Sequence, residues 1–394
     1  MIIETSTDGI ELTIVMPCLN EALTLERCIR KARSFLETAG VCGEIVIGDN
    51  GSIDGSQDIA RRHGARVVDV PIRGYGAAVH AASLSARGRF IIMGDSDDSY
   101  DFGNLMPFVE KLRDGYDLVM GNRFAGCIKP GAMPWKNRMI GNPVLSGIGR
   151  LFFRTVARDL HCGIRGYSLE ALKRMDLRTT GMEFASEMVI KAALLGMRMI
   201  EVPATLAKDG RDRPPHLRPW RDGWRHLRFM LLYSPRWLFL YPGVACMLAG
   251  LVVGLCLLRG PINVGRVTLD VHTLFFAGIA VLIGYQAILF ATFSKIFAAN
   301  SGLIPQNRLL DRLFDYFTLE VGLVVGGALL ALGLTGSAYS FILWDRQSFG
   351  EMDPRHLLRV IIPSGVCLAL GVQTILSSFF LSVLGLGVNT QRKG

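Results

Sequence analysis

The residues best equipped for chemistry lie in Phe90–Tyr100, FIIMGDSDDSY, where a short apolar run ends in Asp95, Asp97 and Asp98, with Asp101 just beyond. Unpaired carboxylates are too costly to bury, so the cluster belongs at the end of a strand and not inside it. Asp95 and Asp97, one residue apart, present hard oxygen ligands suited to Mg²⁺ or Mn²⁺, ions that commonly bridge one or two carboxylates to a substrate's phosphates. A solvated Asp/Ser turn accounts for the same composition, and it is the better description of Asp98 and Asp101.

The elements that must position these carboxylates repeat along the first half of the chain. Glu11–Met16 reads as a strand closed by Pro17, which cannot continue a ladder; the polar stretch Pro17–Glu21 then leads into a helix with Asn20 as its N-cap. Glu44–Ile47, Arg66–Val70, Phe90–Met93 and Asp117–Met120 read as further strands separated by helical stretches. Such alternation implies a mostly parallel sheet with right-handed crossovers, and ligands bind outside the carboxyl ends of its strands. One crevice therefore collects Pro17–Glu21, the Asp49, Asn50 and Asp54 of GDNGSIDGS, Arg73–Gly76, Asp95–Asp98 and Arg123. Arg123 suits a diphosphate, because a guanidinium binds phosphate oxygens bidentately; a surface ion pair is its plainer alternative. Glu183 and Glu187 share a helix face one turn apart, and Glu187 is the expected sugar contact, with a salt bridge as its alternative. The glycine spacing matches neither G-x-G-x-x-G nor GxxxxGK[ST], which argues against a dinucleotide dehydrogenase and a P-loop enzyme.

Composition divides the chain in two. Half of the 394 residues are hydrophobic and the formal charge is +9, yet residues 1–235 read as a soluble α/β protein and 236–394 do not. Four apolar stretches, about 238–258, 272–293, 317–343 and 358–384, are each near or above the ~20 residues that cross a bilayer. They hold no chain of ionisable residues and no Gly/Pro-broken pair, which argues against a transporter. Before the first span, Lys208, Arg211, Arg213, Arg218, Arg221, Arg225, Arg228 and Arg236 interleave with Trp220, Trp224 and Trp237. That position favours anionic lipid and an anionic membrane substrate over nucleic acid, and the positive-inside rule puts the first domain in the cytoplasm. The N-terminus shows no signal-peptide pattern, and the eight scattered cysteines, with no zinc spacing, fit free thiols in a reducing compartment. Met133–Arg158, mixing Trp135, Met139 and Ile140 with Lys136, Arg138 and Arg150, reads either as an interfacial helix or as an ordinary core-facing one.

Six motifs in order resemble inverting family-2 glycosyltransferases of the polyprenyl-phosphate hexose synthase type, over about residues 11–235. They are Pro17-x-x-Asn20-Glu21, Asp49-Asn50-Gly51-Ser52-x-Asp54-Gly55, Gly74-x-Gly76-Ala77-Ala78, Asp95-x-Asp97, Gly121-Asn122-Arg123 and Cys162-Gly163-x-Arg165. The resemblance implies an α/β GT-A domain with a Rossmann-like mixed sheet over residues 1–207; charge and apolar length add a basic-aromatic juxtamembrane loop and interfacial helix over 208–236 and an all-α transmembrane domain of four helices over 237–394. It implies a nucleotide-sugar held by Pro17, Asn20, Glu21, Asp49, Asn50, Gly76 and Asp95, with Mg²⁺ or Mn²⁺ on Asp97, Asp95 and Ser99. Asp95, Asp97, Arg123 and Glu187 would be the catalytic set, and Arg165, Lys208, Arg211 and Arg213 would draw the acceptor phosphate. Asn50 replaces the family's usual second Asp, Ser99 stands where many relatives have Gln, and Tyr75 replaces a common Lys.

Processive polysaccharide synthases share the architecture, but their Q/R-x-x-R-W motif fails here, since Tyr233 precedes Arg236-Trp237 at the critical position. No Thr-Glu-Asp base triplet surrounds Glu183–Met188 either; a phosphate acceptor is already ionised and needs little general-base help. The expected reaction moves a hexose from UDP-glucose or GDP-mannose to undecaprenyl or dolichyl phosphate. The alternatives are transfer to another membrane lipid, such as diacylglycerol, and a catalytically dead nucleotide-binding scaffold. Lipid-embedded helices often associate, so a homo-oligomer is a further expected partner.

Overall fold

The computed structural model describes residues 9–212, 219–300, 318–350 and 353–391. It divides into a first unit ending at Met230 and a second beginning at Leu231.

In the first unit, β1 (Leu12–Cys18), β2 (Gly43–Asp49), β3 (Arg66–Asp69) and β4 (Phe90–Met93) run parallel, with β1 between β2 and β4. Strand β4 is a continuous apolar run because both of its faces are covered. Strands β5 (Leu118–Ile128), β6 (Arg165–Ser168) and β7 (Met199–Leu206) complete a mixed seven-stranded sheet of order β3-β2-β1-β4-β6-β5-β7. Strand β6 is antiparallel to both of its neighbours. This is the mixed, Rossmann-like sheet that the motifs imply.

Helices α1 (Leu25–Thr38), α2 (Ser56–Arg62), α3 (Tyr75–Leu84), α4 (Met106–Arg113), α5 (Asn142–Phe153), α6 (Leu169–Met175) and α7 (Phe184–Leu194) fill the connections. Successive strand residues alternate between the sheet's faces: Ile14 joins the cluster with Phe35 and Phe108, and Val15 joins the one with Val79 and Phe184.

Two local expectations are corrected. Strand β1 does not stop before Pro17 but pairs with β2 through Cys18. Its pairing with β4 ends at Val15, so the N–H that proline lacks faces no strand, and the Pro17 carbonyl accepts the Ser96 hydroxyl at 2.6 Å. Asn20 is not the N-cap of α1, which is Thr24. Asn20 instead adopts a left-handed conformation, φ 58°, that carries its side chain across to the β2 loop. In and before α5, Trp135, Met139, Ile140, Val144 and Leu151 are each more than half exposed, among exposed Arg138 and Arg150.

Helix α8 (Pro219–Leu232) reaches the boundary between the units. The second unit holds α9 (Tyr241–Leu258), a hairpin of β8 (Ile262–Val264) and β9 (Val267–Leu269), α10 (Val271–Asn300), α11 (Leu319–Asp345) and α12 (Pro354–Gln391). Four stretches, Arg236–Leu258, Val271–Ala299, Leu319–Asp345 and Pro354–Leu384, are long and apolar enough to cross a membrane. Lipid offers no hydrophobic drive for helices to associate, so close backbone approach through small residues replaces it. A Cβ on Gly250 would lie 2.6 Å from the Ala277 carbonyl across α9 and α10. One on Gly326 would lie 3.0 Å from the Gly371 carbonyl across α11 and α12.

Candidate active site

The carboxyl ends of β1 and β2 are laced together by short polar side chains. The Asn20 Oδ1 accepts the Ile53 N–H at 2.8 Å, while the Asn20 N–H donates to Ser52 Oγ at 2.9 Å. The Glu21 N–H donates to Ser56 Oγ and the Ala22 N–H to Asp54 Oδ2, both at 2.9 Å. Asp49, ending β2, accepts at Oδ2 from the N–H groups of Gly51 and Ser52 and from Gln57 Nε2, at 3.1, 3.0 and 2.7 Å. Burial pushes its pKa up, but these donors outweigh burial and hold it low. Its other oxygen, Oδ1, is buried with no hydrogen-bond partner among the described residues, an acceptor waiting for a donor.

Two expected nucleotide contacts serve the scaffold instead. The Asn50 amide donates to the carbonyls of Val70 and Ile72 at 3.1 and 2.8 Å and accepts the Gly74 N–H at 2.7 Å. It is a strut joining the loops after β2 and β3. Gly76 is required by packing, since a Cβ there would lie 2.6 Å from the Cβ of Phe184.

At the end of β4 the acidic loop acquires a cationic partner. Asp97 Oδ1 accepts the Ser99 N–H at 3.1 Å and the Ser99 hydroxyl at 2.5 Å. Ser99 thus closes the turn, and its hydroxyl is committed to Asp97 where a third metal ligand was expected. The segment after β7 is tied to this loop by the Ala207 N–H donating to the Ser99 carbonyl at 2.8 Å and the Gly210 N–H to the Asp97 carbonyl at 2.9 Å. That tether delivers Arg211, whose Nη2 lies 2.7 Å from Glu21 Oε1 and 3.4 Å from Asp97 Oδ2, and whose Nε donates to Glu21 Oε2 at 3.0 Å. Asp98 turns away at φ 63° to pair with Lys31 at 2.7 Å, as a turn residue would.

Asp95 is pushed up to about 6 by burial and by the neighbouring Asp97 carboxylate, against the hydroxyl that Tyr75 donates to it. Behind it, the Tyr100 hydroxyl accepts the Gly163 N–H at 2.8 Å. Only glycine fits at 163, where a Cβ would stand 2.6 Å from Asp95 Oδ2.

Three charges expected in the crevice have partners inside the fold. Arg123 forms a bidentate pair with the fully buried Asp159, Nε to Oδ2 and Nη2 to Oδ1, both at 2.7 Å. That pair commits Nε and Nη2, so a diphosphate would have to meet the remaining N–H groups of the guanidinium. Arg165 is fully buried on the inner strand β6. It donates to the carbonyls of Cys162 and Leu160, both at 2.9 Å, and of Ala185, so it does not reach an acceptor phosphate. Glu187 is fully buried as well; it accepts from the N–H groups of Arg178 and Thr179 and pairs with Lys191 at 3.0 Å. Of the two glutamates on that helix turn, Glu183 is the one with a buried oxygen, Oε2, that has no partner among the described residues. Lys208 is exposed, and Arg213 lies outside the described residues.

The structure therefore gathers Glu21, Asp49, Asp95, Asp97 and Arg211 at strand ends, gives Asn50, Arg165 and Glu187 internal partners, and holds Arg123 on Asp159. Tyr75 and Asp159 were missed as participants. Tyr75 carried a signal, as the departure from a motif lysine; Asp159, distant from Arg123 in sequence, carried none. Among the described residues, no group of three or more His, Cys, Asp or Glu side chains could hold a metal ion by itself.

Residues 13–176 match the description Glycosyl transferase family 2, and residues 292–385 match Glycosyltransferase family 2 C-terminal transmembrane region. The chain is 35% identical over 379 residues to the low-salt glycan biosynthesis hexosyltransferase Agl6 of Haloferax volcanii, covering 95% of this chain and 89% of that protein. It is 32% identical over 196 residues to a dolichyl-phosphate hexose transferase of the same organism, covering 49% of this chain and 81% of the relative. Among solved structures, glucosyl-3-phosphoglycerate synthase from Mycobacterium tuberculosis, in complex with Mg²⁺ and uridine diphosphate, aligns at 22% identity and TM-score 0.43, over 58% of this chain and 81% of that one.

Proposed function

Because the chain belongs to glycosyltransferase family 2, we propose that it moves a hexose from a nucleotide-sugar, UDP-glucose or GDP-mannose before others, onto the phosphate of a polyprenyl lipid. The observation that carries this reading is Arg211, held between Glu21 and Asp97 on a loop tethered to the acidic turn. A guanidinium so placed stands ready for an anionic acceptor beside the groups that receive the donor. The dolichyl-phosphate hexose transferase among its relatives supports the same acceptor class. The exposed apolar-basic surface around α5 suits docking of this domain on a lipid headgroup layer, on the cytoplasmic side by the charge bias.

A divalent ion fits the corner. Arg211 already draws on Glu21 and Asp97, so the corner attracts cations, and Mg²⁺ usually combines one or two carboxylates with substrate phosphates and water. Asp97 and Asp95 would hold Mg²⁺ or Mn²⁺ there only together with the donor diphosphate. The chemistry so supplied is neutralisation of charge on the departing nucleoside diphosphate.

The chain's own residues do the rest. Asp49 Oδ1 accepts from the base or ribose, and the Asn20–Ser52 and Ala22–Asp54 bonds keep that loop in place. Glu183 replaces Glu187 as the carboxylate offered to a sugar hydroxyl. Arg211 transfers its donors to the acceptor phosphate, one oxygen of which attacks the anomeric carbon. The bond from that carbon to the diphosphate oxygen breaks as the new one forms on the opposite face, so the configuration inverts. No general base is required, because the attacking phosphate oxygen is already ionised.

The test is a radiolabelled donor panel against undecaprenyl phosphate, dolichyl phosphate and diacylglycerol, with and without EDTA. Label should enter the organic phase only with a polyprenyl phosphate and a divalent metal, in the inverted anomer. Transfer to diacylglycerol instead, or no release of nucleoside diphosphate from any donor, overturns the reading.

A further inference from the structure

We propose that the second unit binds a glycerophospholipid with an anionic headgroup in the groove where the first turns of α10 and α12 meet. The groove has a volume of about 600 Å³ and is walled by apolar side chains including Val271, Phe275 and Leu282 from α10 and Leu358 and Ile362 from α12. Its wall on α10 runs from residue 271 to 282, roughly 16 Å at the helical rise per residue. That is about half of a ~30 Å hydrocarbon core, the depth of one leaflet, and it matches the acyl chains of a two-chain lipid.

The mouth of the groove is cationic. Asp270, immediately before α10, pairs with Arg359 at 2.6 Å and with Arg355 at 3.5 Å. Two arginines against one aspartate leave a positive charge in excess. Arg359 Nε is buried with no hydrogen-bond partner among the described residues, and Arg355 is 70% exposed. A guanidinium near a membrane surface needs an anion, and a phosphodiester supplies acceptor oxygens in the geometry the fork requires. Exposed His272 lines the same mouth. Helix α9 crosses the membrane before the β8–β9 hairpin leads into α10. The headgroup therefore belongs to the leaflet at the carboxyl end of α9, opposite Arg236. Gly365 lines the groove with nothing within 4 Å of where its Cβ would stand, so a larger side chain there would fill the groove without striking backbone. This inference is independent of which sugar or acceptor the first unit uses.

The experiment is native mass spectrometry of the full chain released from nanodiscs made of equal phosphatidylcholine and phosphatidylglycerol. Retained lipid should be enriched in phosphatidylglycerol. Arg355→Gln, at an exposed position, should lower that enrichment about fivefold, the factor one basic residue contributes at an anionic surface. Gly365→Leu should reduce retention of either lipid, and Asp270→Asn should raise the preference for the anionic one. Equal retention of the two lipids by the unaltered chain, or unchanged enrichment in Arg355→Gln, overturns the proposal. So does preferential displacement of phosphatidylglycerol by an equal amount of undecaprenyl phosphate, which would make the groove an acceptor site.

Discussion

The two sides of the seven-stranded sheet treat charge in opposite ways. On the parallel side, the ends of β1, β2 and β4 leave charge available. Asp49 keeps a bare oxygen, Asp95 has its pKa raised by burial and by Asp97, and Glu21 and Asp97 are balanced by an arginine on a separate loop. On the mixed side, around β5, β6 and α7, Arg123, Arg165 and Glu187 are paired with buried groups of their own fold. A charge beside a crevice meets a ligand more readily where its partner sits on a separate loop, as Arg211 does for Glu21 and Asp97, than where the partner is fully buried behind it, as Asp159 is for Arg123. Buried charges must be answered, because leaving one unpaired costs several kcal/mol.

This contrast can be broken experimentally, beginning with the largest effect. Asp159→Ala strands the buried Arg123 guanidinium and should cost about 3–5 kcal/mol of stability, read from the unfolding midpoint of the solubilised protein. Unaltered stability with lost transfer would return Arg123 to the catalytic set. Asp97→Ala should lower transfer about a hundredfold to a thousandfold, the scale of losing one preorganised electrostatic contact, while membrane insertion stays intact. Full activity in that variant would remove Asp97 from the donor site.

Asp95 gives a test with a defined sign. Its folded pKa is about 6 against an ordinary 3.8, so the folded state takes up the proton more readily than the unfolded one. Stability therefore falls as pH rises between those values, and the penalty is complete above pH 6. Asp95→Asn should stabilise the ligand-free protein by about 2 kcal/mol at pH 8, with the advantage fading toward pH 4, even as transfer is lost. A pH-independent difference would show that burial is not what raises this carboxyl. The smallest effect sharpens the comparison: Arg211→Ala should raise the KM for the lipid acceptor about tenfold, roughly 1.4 kcal/mol, and change the donor KM less. Equal changes in both would make Arg211 a donor-side residue.

Much of this was legible in the residue order. The run FIIM ending in carboxylates is strand β4 at its expected bounds, because an apolar stretch stopped by Asp and Ser allows few other readings. Asp98 behaves as the turn residue its neighbours implied, paired with Lys31. Pro17 misled because a proline closes a ladder only where its missing N–H would have met a strand, and here β4 had already stopped pairing with β1 at Val15. Gly76 and Asn50 misled for a related reason: a motif position shows that a residue type is needed but not whether ligand or scaffold needs it.

The sequence by itself determined the cores of the first five strands, the apolar spans and the positions of the acidic loops, since alternation, turn residues and apolar length are properties of adjacent residues. Only the tertiary structure decided which charges remain available. Arg123 meets Asp159 across 36 positions, Arg359 meets Asp270 across 89 and Arg211 meets Glu21 across 190. Such pairings depend on strands and helices brought together by burial of their apolar faces, and they leave no mark on the residues to either side.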